Sequence, residues 1–302
     1  MHLAAVVDPD RARAESVGKE FGVPSFAGLE QLFGEVGVQA ASVTVPTIHH
    51  VKVASALMQA GIDILVEKPL AMSLAEADQL IAAAQRYGRI AQVGHLERFN
   101  PAVRATLPLI TQPMFFEVHR LSVFTPRSLD VDVVLDLMIH DLDIVHAFAN
   151  SPVAEIRAVG LPILSAKTDI ANVRMEFASG CVANLTASRV STERVRKLRF
   201  FQPKQYVSID YGRQDVMVFT IGEEGTPGTP SVNPQIKLAR PPVTAEEPLH
   251  AELKAFMSAV RARTTPLVPL VDGRRALATA LEIVTAIEEH GKNIQLDRLT
   301  TR

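Results

Sequence analysis

The chain of 302 residues has one cysteine, Cys181. A single cysteine excludes an internal disulfide framework and any metal site built from several cysteines. Because Cys181 lies in a strand-like apolar run, we expect it to be buried in the core rather than to act as a nucleophile.

An excess of one charge is also lacking. The 31 basic and 33 acidic side chains nearly cancel, so nothing in the composition favours binding to nucleic acid. No uncharged apolar stretch reaches the ~18 residues needed to cross a bilayer. The first residues, MHLAAVVDPD, lack the features of a signal peptide. We therefore expect a cytoplasmic protein with neither nucleic-acid nor membrane partners, and the length favours two domains.

The first part of the chain alternates between strands and helices. Apolar runs predict buried strands at 3–7, 40–45, 63–70 and 90–95, separated by helices at 10–21, 28–34, 49–60 and 74–87. Ser73 and Glu76 form a capping box at the start of the last of these helices. This alternation predicts a parallel sheet with helices on both faces, in a first domain at 1–112.

The pattern changes after residue 113. We expect a strand at 115–124, a helix at 131–149, and strands at 154–161, 170–180, 181–190, 196–202, 205–211 and 215–221. Ser179-Gly180 predicts a hairpin turn. A loop at 222–248 is followed by helices at 249–262 and 272–289, the second opening at Asp272. These features predict an α/β domain at 113–302 with a large, mostly antiparallel open sheet, whose terminal helices are free to pack back on the first domain.

Two strand ends in the first domain carry residues suited to bind a ligand. An acidic residue that ends the second strand of a doubly wound sheet can accept hydrogen bonds from a ribose. The predicted strand at 3–7 resembles that second strand, and Asp8 directly follows it. Its alternative role is to form a turn before Pro9. Lys68, at the end of the third predicted strand, can donate to a substrate hydroxyl and stabilise its developing charge. Its alternative role is that of a solvated surface lysine.

The helix at 131–149 combines acidic residues with histidines. Asp136 and His140 are four residues apart and share a face, and Asp143 lies one turn beyond His140. A carboxylate beside an imidazole is suited to proton transfer. Metal binding is a rival use, although the spacing reveals no third ligand. The remaining alternative is an amphipathic helix with a polar face.

The block from Gly94 to Pro101 follows the fourth predicted strand. Arg98 and Asn100 in this block can bind a sugar hydroxyl or a phosphate. The alternative is a hinge between the two domains that is closed by Pro101.

Together these features resemble the glucose–fructose oxidoreductase / inositol dehydrogenase (Gfo/Idh/MocA) family over nearly the whole chain. The segments that carry the resemblance are the strand ending at Asp8, the loop Thr44-Val45-Pro46-Thr47-Ile48-His49-His50, Glu67-Lys68-Pro69, the block from Gly94 to Pro101, and Asp136 with His140. The resemblance implies a Rossmann domain, an α/β domain with an open sheet, and an NAD(P)-dependent dehydrogenase. Lys68 would bind the reacting hydroxyl, His140 would be the general base, and Asp136 would orient or assist it.

The resemblance also implies a set of cofactor contacts. Asp8 would bind the adenine ribose, which favours NAD over NADP unless Arg11 or Arg13 binds the 2′-phosphate of NADP. Pro46 and His50 would flank the cofactor, and Glu67 and Lys68 would lie near the nicotinamide ribose.

Within the family, the Gly94–Pro101 block and the stretch Phe124-Thr125-Pro126-Arg127 are similar to bacterial enzymes that oxidise the 3-hydroxyl of UDP-N-acetylglucosamine-type nucleotide sugars. Arg98 and Arg127 would contact a phosphate or a carboxylate. The other functions considered are a non-catalytic scaffold or sensor, and a reductase of a non-sugar substrate. The open sheet leads us to expect a homodimer or a homotetramer.

The chain departs from the family pattern at two places. Thr47 replaces the asparagine of the family's T-P-N loop, which is a tolerable change. The first strand and its glycine-rich turn are missing, which predicts a gap in the sheet and poor binding of NAD by this chain. One strand–turn–helix unit has roughly 25–35 residues, and we expect the native protein to carry that many more.

Overall fold

The computed structural model describes residues 2–125, 131–222 and 235–294. The chain folds into two compact units, of which unit 1 is Met1–Gly94 with Leu253–Arg274 and unit 2 is His95–Glu252 with Arg275–Arg302. The first segment of unit 1 therefore ends at Gly94, before the domain boundary that the sequence predicts after residue 112. The reason is that Ala102 and Val103 belong to the hydrophobic core of unit 2.

The described residues form eight α-helices and thirteen strands. The helices are α1 (Arg11–Phe21), α2 (Leu29–Glu35), α3 (His50–Gln59), α4 (Leu74–Tyr87), α5 (Pro101–Thr106), α6 (Ile139–Ala149), α7 (Pro248–Ala262) and α8 (Leu270–Asn293). Short 3-10 turns occupy Thr47–His49, Leu96–Phe99 and Leu107–Leu109, and a π-helical turn occupies Val134–Met138. The strands are β1 (Val6–Val7), β2 (Ser25–Phe26), β3 (Ala40–Val43), β4 (Asp63–Glu67), β5 (Ala91–Gly94), β6 (Phe115–Val123), β7 (Val153–Leu161), β8 (Ile170–Phe177), β9 (Val182–Ser191), β10 (Val195–Gln202), β11 (Gln205–Asp210), β12 (Asp215–Gly222) and β13 (Gln235–Ala239).

The parallel sheet of unit 1 is in two pieces. β1 pairs with β2, and β4 pairs with both β3 and β5, all in parallel. Among the described residues, no ladder joins β1 to β3. The two-residue strand β2 was not predicted, since Ser25–Phe26 is too short to show a periodicity.

The helix ends of unit 1 follow from local side chains. Ser73 accepts a hydrogen bond from the backbone N–H of Glu76 at 3.3 Å, and the Glu76 carboxylate accepts one from Met72 N at 2.8 Å. This is the predicted capping box at the start of α4. At the other end, Gly88 adopts the left-handed conformation (φ 60°) that terminates a helix.

The helix α7 packs back on the sheet of unit 1. Its Phe256 and Val260 form an apolar cluster with Leu65 of β4. At its carboxyl end, Arg263 donates to the carboxylate of Asp63 and, at 2.8 Å, to the carbonyl of Gly88.

Unit 2 is built on one eight-stranded sheet in the order β13-β12-β11-β10-β6-β9-β8-β7. Every neighbouring pair is antiparallel except β6 with β9, which is parallel. Gly180 (φ 82°) closes the predicted turn between β8 and β9. One face of the sheet forms a core with α6 and the later part of α8. Cys181 belongs to this core as expected, and burial raises the pKa of its thiol to about 11.

Two predictions for the second half need correction, and one short helix before it was not predicted. The region 222–248, expected to be a loop, contains the edge strand β13, because Gln235–Ala239 pairs with β12. The helix α8 begins at Leu270, so Asp272 lies in its first turn instead of capping it. The short helix α5 was not predicted, although Asn100 caps it and Pro101 takes its first position. Among the described residues, no helix is both long enough and apolar enough to cross a membrane.

Candidate active site

The carboxyl end of β1 presents the carboxylate of Asp8. One oxygen of this carboxylate accepts a hydrogen bond from Asp10 N at 2.8 Å, and the other accepts one from Arg13 Nη1 at 3.2 Å. The side chain of Asp8 is 27% exposed, so the carboxylate is accessible to a ligand. Arg11 is engaged by Glu15 at 2.8 Å. Both arginines considered as partners of a 2′-phosphate therefore already face carboxylates.

The loops after β3 and β4 are tied together by His50. Its ring is buried, with Nε2 3.0 Å from the carbonyl of Val45 and Nδ1 3.2 Å from the carbonyl of Leu70. Each ring nitrogen therefore lies within hydrogen-bond distance of a backbone carbonyl. Pro46 is exposed beside this tie. His50 thus connects the loop after β3 to the loop that carries Lys68, and its expected contact with the cofactor stays a prediction.

Lys68 directly follows β4, and its neighbour Glu67 is held against β5. Glu67 and Lys68 are both half-buried. Glu67 is paired with Gly94 across the strands. A Cβ on Gly94 would lie 3.1 Å from Glu67 Oε2, closer than most such contacts. Because Gly94 has no side chain, the carboxylate of Glu67 can lie directly against it.

In unit 2, Asp136 lies in a π-helical turn and His140 lies in the α-helix that directly follows it. Asp136 is in the π-helical turn Val134–Met138, and His140 is in the first turn of α6. Both side chains are half-buried. The predicted continuous helix at 131–149 therefore opens with a π turn, a feature that is frequent at functional sites. The spacing alone did not reveal it.

His140 faces a second imidazole. The rings of His95 and His140 are edge to face, with their centroids 6.5 Å apart. His95 is buried and directly follows β5. It stands in the Gly94–Pro101 block, but sequence reasoning gave it no role.

The two candidate ligands of that block are engaged within the protein. Arg98 is mostly buried, with its Nε 3.8 Å from the buried carboxylate of Asp143. Asn100 is buried, accepts from Ala102 N at 3.0 Å, and donates to Glu97 at 3.2 Å and to the Tyr211 carbonyl at 3.1 Å. These contacts use both amide protons of Asn100, and its expected contact with substrate stays a prediction. The third candidate, Arg127, lies outside the described residues.

Sequence reasoning also missed Arg120 at the centre of this region. Arg120 donates to both oxygens of Asp141, at 2.6 and 2.9 Å, and to Glu97 at 3.0 Å. A signal was present, since the alternation of β6 places position 120 on the same face as Phe116 and Val118. A charge on an inward-facing position must be paired.

Among the described residues, no group of three or more histidine, cysteine or acidic side chains is arranged to hold a metal ion. Within unit 2, carboxylates and two imidazoles, those of His95 and His140, form a donor set suited to proton transfer.

Two family models match the chain. The model of the Gfo/Idh/MocA oxidoreductase family with an NAD-binding Rossmann fold matches residues 1–95, and that of the Gfo/Idh/MocA C-terminal domain matches residues 111–206. The chain belongs to the Gfo/Idh/MocA family. It is accordingly an oxidoreductase, and membership supports the use of NAD(P).

Members of the family resemble the chain to different degrees. UDP-N-acetylglucosamine 3-dehydrogenase from Acidithiobacillus ferrooxidans is 37% identical over 95% of this chain and 90% of its own length. A solved structure of that enzyme has a TM-score of 0.87 at 35% identity, covering 95% of this chain and 90% of its own. The NAD-dependent scyllo-inositol 2-dehydrogenase of Bacillus subtilis is 27% identical over 63% of this chain and 60% of its own length.

The residues of unit 1 fit the outer contacts of the family's cofactor. Asp8 offers an accessible carboxylate at the carboxyl end of a parallel strand, which is the position used for a ribose. The Glu67-Lys68 pair ends a second parallel strand, where Gly94 leaves room for the carboxylate. The sequence contains no Gly-x-Gly-x-x-Gly turn for the pyrophosphate.

Proposed function

We propose that the protein oxidises a secondary hydroxyl of a nucleotide sugar, namely the 3-hydroxyl of a UDP-N-acetylglucosamine-type substrate, with NAD as acceptor. The observation that carries this proposal is the placement of Asp136 on the π turn and of His140 in the first turn of α6, with both side chains half-buried. The 37% identity to UDP-N-acetylglucosamine 3-dehydrogenase over 95% of the chain supports the choice of substrate.

In this proposal three side chains share the work of alcohol oxidation. The imidazole of His140 takes the proton of the reacting hydroxyl as general base, and Asp136 orients and stabilises the imidazolium that forms. Lys68 donates a hydrogen bond to the hydroxyl oxygen and stabilises its negative charge as the carbonyl develops. The nicotinamide, when bound, supplies a hydride acceptor for the hydrogen on the same carbon.

The cofactor preference is proposed from the surroundings of Asp8. A carboxylate at this position accepts hydrogen bonds from the two ribose hydroxyls of NAD and repels the 2′-phosphate of NADP. Arg13 is held by Asp8 at 3.2 Å and by Asp10 at 3.5 Å, and this arrangement favours NAD. Pro46 beside the loop and Glu67 at the end of β4 are further proposed contacts.

The substrate contacts are proposed more narrowly than the sequence suggested. Arg98 has Asp143 as its ionic partner, so we assign it to the framework of the site. Arg127, in the stretch similar to nucleotide-sugar dehydrogenases, remains the proposed contact to the diphosphate. Arg127→Gln should raise the KM for UDP-N-acetylglucosamine more than it lowers kcat.

The test is NADH formation, followed by absorbance, from the purified protein with UDP-N-acetylglucosamine and NAD extended into the millimolar range. His140→Gln and Lys68→Met should each lower kcat about 100-fold or more, since a positioned acid or base contributes 10²–10⁴-fold. Turnover of free hexoses or inositol, but none of UDP-N-acetylglucosamine, would remove the nucleotide-sugar assignment and keep the dehydrogenase. Wild-type turnover by both variants would remove the catalytic assignment.

We also propose that the protein is a homo-oligomer that associates through the open face of its sheet. On the face opposite the core, neighbouring strands place Phe115, Phe201, Tyr206 and Phe219 side by side, with ring centroids 5.6, 4.8 and 5.2 Å apart. Leu238 of β13 continues this row and is 57% exposed. A contiguous apolar patch of this kind is typical of an interface.

Sedimentation equilibrium tests the oligomer. Phe201→Asp should give a monomer, because a charge in the middle of the row cannot be buried unpaired. Phe21→Asp is the control, since Phe21 is 59% exposed on α1. A wild-type protein that is monomeric at all concentrations, or a Phe201→Asp variant that still associates, would reject this interface.

A further inference from the structure

Arg120 is the centre of a buried charge network in unit 2. Its guanidinium is only 5% exposed and makes three hydrogen bonds to two carboxylates, those of Asp141 and Glu97. It also lies over the ring of Tyr211, with 5.3 Å from Cζ to the centroid. Burial acts to lower the pKa of Arg120, but the charges of Asp141 and Glu97 outweigh burial and raise it, so the guanidinium stays charged.

The two carboxylates belong to two different segments. Asp141 is on α6, directly after His140, whereas Glu97 is in the His95–Asn100 segment, two residues after His95. Arg120 therefore connects the segment that carries one imidazole to the helix that carries the other. The two rings meet edge to face at a centroid distance of 6.5 Å.

A second tie joins the same two segments. Arg98 of the His95–Asn100 segment lies 3.8 Å from Asp143 of α6. Successive residues of an α-helix are about 100° apart around its axis. Asp141 and Asp143 therefore lie on either side of His140 around the helix. Two ties that flank His140 resist rotation of α6 about its axis, which is the motion that would move the imidazole most.

The network is a poor way to add stability. A buried ion pair is often no more stabilising than apolar residues of the same volume, because removing the charges from water offsets their attraction. The geometry of the guanidinium, by contrast, fixes the orientation of the carboxylate that it binds. Arginine binds a carboxylate through two parallel hydrogen bonds, and lysine cannot. The network is thus better suited to hold α6 and the His95–Asn100 segment in register than to hold the fold together.

We propose that Arg120 is a positioning residue, which sets the place and orientation of the His140 imidazole through Asp141 on α6 and through Glu97 and His95 on the adjoining segment. This inference rests on the proposed function only in taking His140 as the general base. Arg120 itself is assigned no contact with substrate or cofactor.

The first test measures the position of the rings without using activity. In protein labelled with ¹⁵N-histidine, the ring resonances of His140 and His95 are assigned with the variants His140→Gln and His95→Gln. Arg120→Lys should shift both sets of ring resonances and leave those of the exposed His250 in place. Ring resonances of His140 that are unchanged in folded Arg120→Lys would overturn the proposal.

The matched control is Arg274→Lys. Arg274 binds Asp78 through the same two-bond fork, but this pair is on the surface of unit 1. It should shift neither imidazole. Should Arg120→Lys fail to fold, Glu97→Gln keeps the shape of that side chain and removes one charge. It should shift the His95 and His140 rings, and ring resonances unchanged in folded Glu97→Gln would overturn the proposal.

The second test asks whether Arg120 acts through His140. Arg120→Lys should lower kcat about ten- to hundred-fold, as small displacements of a catalytic group do, with the KM values changed less than about three-fold. In the His140→Gln background the same change should cause almost no further loss, because residues that act as a unit are not additive. An equal loss in both backgrounds would overturn the proposal.

The outcomes separate this inference from the proposed function. If His140→Gln alone leaves kcat unchanged, the assignment of His140 as base fails. The ring resonances then still decide whether Arg120 positions the imidazole. If His140→Gln abolishes turnover and Arg120→Lys leaves both the resonances and kcat unchanged, the proposed function stands and the positioning role falls.

Discussion

The carboxylate of Glu67 lies over Gly94 of the neighbouring strand. A Cβ added to Gly94 would be 3.1 Å from Glu67 Oε2 and 3.2 Å from Glu67 Cδ. Glycine inside a strand often marks such a close approach. The relationship couples the two sequence blocks that carry the family resemblance, since Glu67 precedes Lys68 and Gly94 precedes His95.

Gly94→Ala should therefore displace Glu67 and weaken the site. The methyl group would push the carboxylate by a few tenths of an ångström, and we expect kcat/KM for NAD to fall about ten-fold, as geometric displacement at a site does. Steady-state kinetics with varied NAD measures the change. The control is Gly34→Ala, where no atom lies within 4 Å of the new Cβ.

That control carries an expectation of its own. Gly34 lies inside α2, and alanine at such a position should stabilise the protein by about 0.4–1 kcal/mol because it restricts the unfolded chain. Full activity of the Gly94→Ala variant would show that the close approach of Glu67 to Gly94 does not affect catalysis.

The sequence predicted best those features that depend on neighbouring residues. Ser73 and Glu76 gave the start of α4, and Gly180 gave the turn between β8 and β9, because each signal lies within a few residues of its effect. The apolar runs gave β3, β4 and β5.

Features that depend on distant contacts were not predicted. The edge strand β13 forms because β12 offers it hydrogen bonds, so its own residues did not mark it. The ionic contact of Arg98 with Asp143 was not predicted, because the two residues lie 45 positions apart in the chain. Arg120 was overlooked since its role requires knowing that Glu97 and Asp141 converge on it.

His146 should make stability fall in mild acid. Burial, together with the charge of Arg275, lowers the pKa of His146 to about 4, and its Nε2 lies 2.8 Å from Thr279 Oγ1. In the unfolded chain a histidine titrates near 6.5. Between these values the unfolded state binds the proton and the folded state does not. The contribution of His146 is therefore complete above pH ~6.5 and is lost as the pH falls towards about 4.

The expected loss over this window is at most about 3 kcal/mol, at 1.36 kcal/mol per pKa unit. Urea unfolding of wild type and His146→Gln at several pH values measures it. The difference between the two proteins should shrink as the pH falls below 6.5 and stay constant between about pH 7 and 8. A difference that does not change with pH would show that His146 ionises equally in both states.

Asp169 should be an acid-sensitive element of unit 2. It is fully buried, and its Oδ2 accepts the backbone N–H groups of Ile163, Leu164 and Ser165 at 2.8, 2.6 and 2.8 Å. Burial acts to raise the pKa of Asp169, but these hydrogen bonds outweigh it and the pKa is lowered. The stabilisation is thus present above the unfolded pKa of about 3.9 and is lost as the pH falls through the folded one.

Asp169→Asn should lower the free energy of unfolding by about 3 kcal/mol at neutral pH, since hydrogen bonds to a charged group are lost and Arg189 keeps a buried charge. Thermal and urea unfolding check this value. Asp10→Asn is the control, because Asp10 caps α1 at an exposed site where asparagine caps equally well. Equal stability of the two variants would contradict the role of Asp169.

Asp8 should decide between NAD and NADP. Its carboxylate is held by Asp10 N at 2.8 Å and holds Arg13 at 3.2 Å. Asp8→Ser removes the ribose acceptor and leaves Arg13 available to a 2′-phosphate. A hydrogen bond to a charged group is worth about 1.5–3 kcal/mol, so the preference for NAD should fall about ten- to hundred-fold. Titration calorimetry with each cofactor, extended into the millimolar range, measures the ratio of dissociation constants without requiring turnover. Asp10→Ser is the matched variant, because serine keeps the cap of α1 and Asp8 stays in place. This variant should leave the preference for NAD unchanged. Wild-type protein that binds NADP as tightly as NAD would show that Asp8 does not distinguish the ribose of NAD from the 2′-phosphate of NADP.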